Sequence, residues 1–165
     1  MSNNNKLPSV LNVEQLIKIF DAIDRPKVAI ASALAFFCGL RISEVCNLKI
    51  EDVDLEKQRL KVTDGKNSRR SLSGYGKDRY VPIPPQMISP IKKWIEIIDG
   101  GKWLFPSDKS PDAHIRKKSL GEQYREALSK TGLLIPVMEL EFKTKVNGKE
   151  TIKKIVRHKY YFHTL

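Results

Sequence analysis

Apolar residues recur at helical spacing through "LNVEQLIKIFDAID", where Leu16, Ile19, Phe20 and Ile23 share one face. Asn12, followed three residues on by Gln15, reads as a capping box that opens this helix. Pro26 opens a second helix through "KVAIASALAFFC", which is apolar nearly all round and therefore central to the core, and Gly39 ends it. "SEVCNLKI" resumes as a short helix with Ser43 as its N-cap, and "EDVDLEKQ" turns the chain into a strand, "RLKVT". A Gly- and Ser-rich basic loop separates that strand from a second, "RYVPI", which makes a hairpin with a long tip.

Pro84 and Pro85 open a helix through "QMISPIKKWIEIID", with Ile88, Ile91, Trp94, Ile95 and Ile98 on one face and Gly100 and Gly101 at its end. "KWLFPS" reads as a tucked-in apolar turn. Ser119 with Glu122 forms a capping box for "LGEQYREALSKTG", which Gly132 terminates. The period then changes: Met138, Leu140, Phe142, Thr144 and Val146 alternate with Glu139, Glu141, Lys143 and Lys145, as in a strand. Asn147-Gly148 is a type I′ turn signal that returns the chain through "KETIKKIVRHKYY", with Tyr160 and Tyr161 in the return strand. These elements predict one mixed α/β domain, mainly helical, with two antiparallel hairpins and no internal repeat.

Composition narrows the class. The 165 residues are 41% hydrophobic, enough for one domain with its own core. Thirty Lys and Arg against nineteen Asp and Glu give a formal charge of +11, which favours a polyanionic partner if the charge is clustered. Cys38 and Cys46 lack the paired spacing of a zinc site and read as buried, reduced thiols, so no metal is expected. The opening "MSNNNKLPSV" is polar, without a basic segment leading into an apolar one, and the longest apolar run is short of a bilayer span. A cytoplasmic protein without membrane contact is the expectation.

One feature of the pattern asks for chemistry. Within "FFCGLRISEVCNL" a single arginine, Arg41, stands between a Gly-Leu pair and the next helix. "GLRISEVCNLKIEDVD", followed by a strand and "GKDRYVPIP", closely resembles the catalytic domain of the tyrosine recombinases, the phage-integrase and Xer class of site-specific DNA recombinases. The resemblance implies an integrase-like fold of the DNA breaking-rejoining type. It also implies that Arg41 is the first catalytic arginine and Glu44 its supporting acid. Two arginines hold the scissile phosphate in that family, since a guanidinium fork matches two phosphate oxygens and keeps its charge when fixed by packed helices.

The resemblance further implies a lysine in the hairpin, acting as general acid for the leaving 5′ oxygen. Lys66 directly follows the first strand and is favoured; Lys77, in the approach to the second strand, stays open as the alternative. Arg69, Arg70, Lys77 and Arg79 are expected to contact DNA phosphates. The closing "YYFHTL" resembles the start of an H-x-x-R box, which makes His163 the box histidine beside the phosphate. His114 and His158 match nothing.

By the same resemblance the second arginine and the nucleophilic tyrosine are expected beyond Leu165, Tyr160 and Tyr161 being poor substitutes. The chain then corresponds to roughly the first two-thirds of a catalytic domain, without the family's N-terminal core-binding domain. Such a truncated form is expected not to cleave alone. The implied partners are double-stranded DNA and, for the parent protein, further recombinase subunits, with no metal or nucleotide cofactor and nucleoid association in a prokaryote. Two other readings stay open: a non-catalytic DNA-binding or regulatory protein on the same scaffold, and a basic structural protein whose Arg41 only pairs with Glu44.

Overall fold

The computed structural model describes residues 10–63, 78–146, 149–162 and 165. Helix α1, Val13–Asp21, starts at the expected capping box: the Asn12 side chain accepts from the Gln15 amide at 2.8 Å, and the Asn12 amide donates to Gln15 Oε1 at 3.0 Å. Helix α2, Pro26–Cys38, is the centre of the core, with Val28, Ala31, Ser32, Leu34, Ala35 and Cys38 buried. It packs against α3, Ile42–Cys46, α4, Pro85–Ile97, and α5, Lys117–Lys130. A fully buried Leu34 is worth about 1.5–3 kcal/mol in removed apolar surface, so the interior of α2 anchors the helical layer.

Between α3 and α4 lies a three-stranded antiparallel sheet in the order β1 (Val53–Asp54), β2 (Arg59–Val62), β3 (Arg79–Pro82). The expected hairpin is β2–β3, in the register Arg59↔Pro82 to Val62↔Arg79. Strand β1 was not expected; Val53 and Asp54 are too short a run to read as a strand and are held by pairing with Leu60 and Arg59. Leu60 and Val62 face the core, while Arg59 stacks over the Tyr80 ring at 4.3 Å and pairs with Asp54 at 3.1 Å. The "KWLFPS" turn is tucked in as expected, with Leu104 and Phe105 buried and Trp94 Nε1 donating to the Leu104 carbonyl at 2.8 Å.

Two helix starts differ from the expectation. Arg41, not Ser43, holds the N-cap position of α3, because the Glu44 carboxylate already reaches back to the Arg41 amide. Helix α5 begins at Lys117, with Arg116 as N-cap and its carbonyl accepting from Leu120 at 3.0 Å, so Ser119 lies in the first turn rather than before it. Beyond α5 the chain forms a second, two-stranded sheet, β4 (Pro136–Val146) and β5 (Lys149–His158). The turn expected at Asn147-Gly148 lies outside the described residues. Tyr160 and Tyr161 follow β5 instead of belonging to it; Tyr160 and Phe162 turn back into the core, 3% and 4% exposed. Among the described residues no helix is long and apolar enough to cross a membrane.

Candidate phosphate-binding site

The site is built at the junction of α2 and α3. Gly39 takes a left-handed conformation, φ 61°, which a side chain would strain, and so ends α2 sharply. Leu40 then drops into the core, while Val45 and Cys46 anchor α3 from below. Between these buried anchors Arg41 projects outward with its side chain 75% exposed. The arginine is therefore placed by its neighbours' burial, while its guanidinium stays open to solvent.

Beneath it sits Glu44, the one acidic residue among the buried positions described. Its Oε2 accepts from the Arg41 backbone amide at 2.7 Å, and its Oε1 lies 3.3 Å from Arg41 Nη1. From the other side β3 supplies Arg79, whose Nη1 and Nη2 donate to Oε1 and Oε2 at 2.9 and 3.0 Å. This is the planar fork that arginine makes with a carboxylate and lysine cannot. Burial alone raises the Glu44 carboxyl pKa, but the Arg79 hydrogen bonds, the Arg41 amide and the two guanidinium charges together outweigh it. The net shift is downward, so Glu44 is an anion at neutral pH.

Glu44 thus ties the helix that carries Arg41 to the strand that closes the β2–β3 hairpin. Chemically, one buried anion neutralises one of two guanidinium groups, and the more exposed one, Arg41, keeps N–H donors free of Glu44 for an outside anion. Arg79, expected as a DNA contact, is engaged by Glu44 in the structure. Its inward face was readable from parity: Arg79, Val81 and Ile83 alternate with the exposed Tyr80 and Pro82, and Ile83 is 2% exposed. An arginine on the inner face of a strand needs a buried acid, and Glu44 is that acid.

The structure brings together Arg41, Glu44 and Arg79. Lys66, Arg69, Arg70, Lys77 and His163 lie outside the described residues. Residues 160–162 reach the same junction: Tyr160, Tyr161 and Phe162 line a cavity of about 100 Å³ with Ile42, Gly121, Tyr124, Arg125 and Leu128. Phe162 meets Tyr124 edge to face at 5.4 Å. Tyr161 accepts from the His158 amide at 2.7 Å, and Tyr160 is buried. His114 is remote in role, its Nδ1 within 2.8 Å of the Ile115 carbonyl and its ring against Trp103. Burial pushes the Cys38 thiol up to about 11 and the Cys46 thiol up to about 12, as expected of inert core residues. Among the described residues no cluster of three or more His, Cys, Asp or Glu could hold a metal ion.

A helical domain that holds an exposed arginine over a buried carboxylate, next to an antiparallel hairpin, has the framework of the integrase-like fold. The chain belongs to the phage integrase family, whose profile matches residues 9–143. It is 31% identical over 138 residues to tyrosine recombinase XerA of Pyrococcus furiosus, covering 81% of this chain and 46% of that protein. The crystal structure of a XerA recombinase shares the fold with a TM-score of 0.64 at 20% identity, over 80% of this chain and 45% of that one. A lambda integrase dimer bound to a COC′ core site superposes with a TM-score of 0.61 at 21% identity, over 81% of this chain and 37% of that one. The chain therefore spans less than half the length of these proteins.

Proposed function

We propose that this chain supplies the first-arginine part of the catalytic domain of a site-specific tyrosine recombinase, which breaks and rejoins duplex DNA through a phosphotyrosine. The observation that carries this reading is the exposed Arg41 guanidinium, fixed at the α3 N-cap over a buried carboxylate that Arg79 clamps from the hairpin. A cation set in place before the reaction binds non-bridging oxygens of the scissile phosphate without reorganising as charge develops. In the same reading Lys66, with Lys77 as alternative, donates the proton to the leaving 5′ oxygen, and His163 hydrogen-bonds the phosphate. Arg69, Arg70 and Lys77 meet flanking phosphates, and Arg79 acts first through Glu44. The DNA-bound dimer of lambda integrase supports duplex DNA as partner and assembly with further recombinase subunits.

The test is duplex binding by the chain and its Arg41→Ala variant, followed by fluorescence anisotropy over a salt series. Because the side chain is mostly in solvent, the variant should unfold at the parent's midpoint. Its affinity should fall about tenfold, the loss of one charge-assisted phosphate contact, and its salt slope should drop by about 1. Unchanged affinity, or a parent protein whose binding ignores salt, would remove the phosphate site.

A further inference from the structure

The β4–β5 ribbon is a second surface whose pattern points to a ligand. Its strands, 11 and 10 residues long, form a sheet of their own. Residues paired across antiparallel strands lie on the same face, so the register sorts the ribbon into two sides. One side holds the pairs Met138↔Arg157, Leu140↔Ile155, Phe142↔Lys153, Thr144↔Thr151 and Val146↔Lys149. The other holds Glu139↔Val156, Glu141↔Lys154, Lys143↔Ile152 and Lys145↔Glu150.

The charge is divided unevenly. All the carboxylates of the ribbon fall on the second side, where the lysines can offset them and Lys154 pairs with Glu141 at 2.8 Å. On the first side the register places Lys149, Lys153 and Arg157 of β5, and Met138, Leu140, Phe142 and Val146 of β4, with Thr144, Thr151 and Ile155 between them and no carboxylate. Met138 and Ile155 on that side are 49% and 43% exposed. A face whose register collects cations and apolar residues without a carboxylate complements a polyanion with apolar edges, which is the chemistry of a DNA groove.

Dimensions and position agree. A two-stranded ribbon fits the major groove, and ten residues at about 3.4 Å each span roughly one turn of B-DNA. The base of the ribbon is fixed by the Lys159 backbone amide donating to the Ile135 carbonyl at 2.8 Å, after which Tyr160 lines the cavity shared with Ile42, the neighbour of Arg41. The ribbon thus springs from the shoulder of the phosphate site. The family profile stops at residue 143, inside β4, so the rest of β4 and the whole return strand lie outside the matched part.

We propose that the β4–β5 ribbon lies against the duplex beside the bound phosphate, with the Lys149, Lys153 and Arg157 face toward the DNA, and lengthens the footprint by about one turn. This rests on the reading of the protein as a DNA-binding recombinase domain. The experiment compares two triple variants of the chain with equal charge change on opposite faces: Lys149→Gln/Lys153→Gln/Arg157→Gln, and Lys143→Gln/Lys145→Gln/Lys154→Gln. Circular dichroism and thermal melting check both for folding, and binding to a random-sequence duplex is measured against salt with hydroxyl-radical footprinting. The first triple should bind at least tenfold more weakly, with a salt slope lower by about 2–3 and a footprint shorter by about one turn, while the second stays within about threefold of the parent. Equal effects of the two triples overturn the ribbon assignment while leaving the Arg41 site standing. So does a first triple that binds DNA normally but loses self-association in sedimentation, since that face would then meet a second copy. A parent protein that binds no duplex overturns both readings.

Discussion

Arg79→Ala removes the fork that holds Glu44. What remains is a carboxylate on a side chain 6% exposed, with the Arg41 amide at 2.7 Å and Arg41 Nη1 at 3.3 Å as partners. Breaking a wholly buried ion pair from one side costs about 3–5 kcal/mol. The Arg79 side chain is 41% exposed, so water screens one side of the pair and can replace part of the lost donation. The expected loss is about 2–3 kcal/mol, which lowers the melting midpoint of a domain of this size by about 4–12 °C. Glu44→Gln leaves no buried charge but turns one acceptor oxygen into an amide that faces a guanidinium donor, for a loss of about 1–2 kcal/mol. In the double variant the amide no longer meets the arginine, so the two losses should fall short of adding by about 1–2 kcal/mol. Urea unfolding followed by the fluorescence of Trp94, which is buried against Phe105, reads all four proteins. Strict additivity, with a coupling under about 0.5 kcal/mol, would refute the claim that Arg79 holds Glu44. The pH dependence carries the same sign: a carboxyl lowered in the folded state stabilises fully above its unfolded pKa, about 4.3, and loses that contribution as pH falls through the folded value. Arg79→Ala removes the main group that lowers the folded value, so the variant should lose less stability than the parent as pH falls below about 4.3.

The Tyr124 hydroxyl is buried without a hydrogen-bond partner among the described residues, so Tyr124→Phe should leave stability unchanged or raise it by up to about 1 kcal/mol in the same urea assay. A loss above that size would mean that the hydroxyl is bonded in solution. In a recombinase that carries this segment within a complete catalytic domain, Lys66→Ala should slow cleavage of an ordinary phosphate far more than cleavage of a 5′-bridging phosphorothiolate, whose thiolate leaves without a proton. The same rescue seen for Lys77→Ala instead would move the general acid to Lys77.

Most of the helical framework was legible because its signals are local. Asn12 with Gln15, Pro26, Gly39 and Gly132 act on their own turns, and the structure keeps each of them as a helix start or end. Ser43 and Ser119 failed for a different reason. Both have the right residue type one to three positions inside the true start, and the actual boundary was set by groups the local pattern does not weigh: the Glu44 carboxylate for α3, and the Arg116 carbonyl for α5. Strand β1 was invisible because two residues carry no period, and Tyr160 was misplaced because alternation alone does not tell where a strand stops and a buried turn begins.

Arg41 was legible only through a motif, and Arg79 shows why. Charge composition counts both arginines alike, yet the fold leaves Arg41 the more exposed and forks Arg79 onto Glu44, through a contact between residues 35 positions apart. Glu44 cannot remain buried as an anion without a cation from elsewhere in the chain, and the strand that brings Arg79 also closes the hairpin. Satisfying one buried carboxylate therefore fixes three things together: the α3 N-terminus, the register of the hairpin against it, and a local charge of about +1 rather than +2 from the two arginines. That remaining charge resides mainly on Arg41, the more exposed of the pair, on a backbone pinned by Leu40 and Val45. Under the proposed function, a phosphate approaching this surface would meet a cation whose backbone folding has already placed, so less of the binding energy would go into ordering the group that binds it.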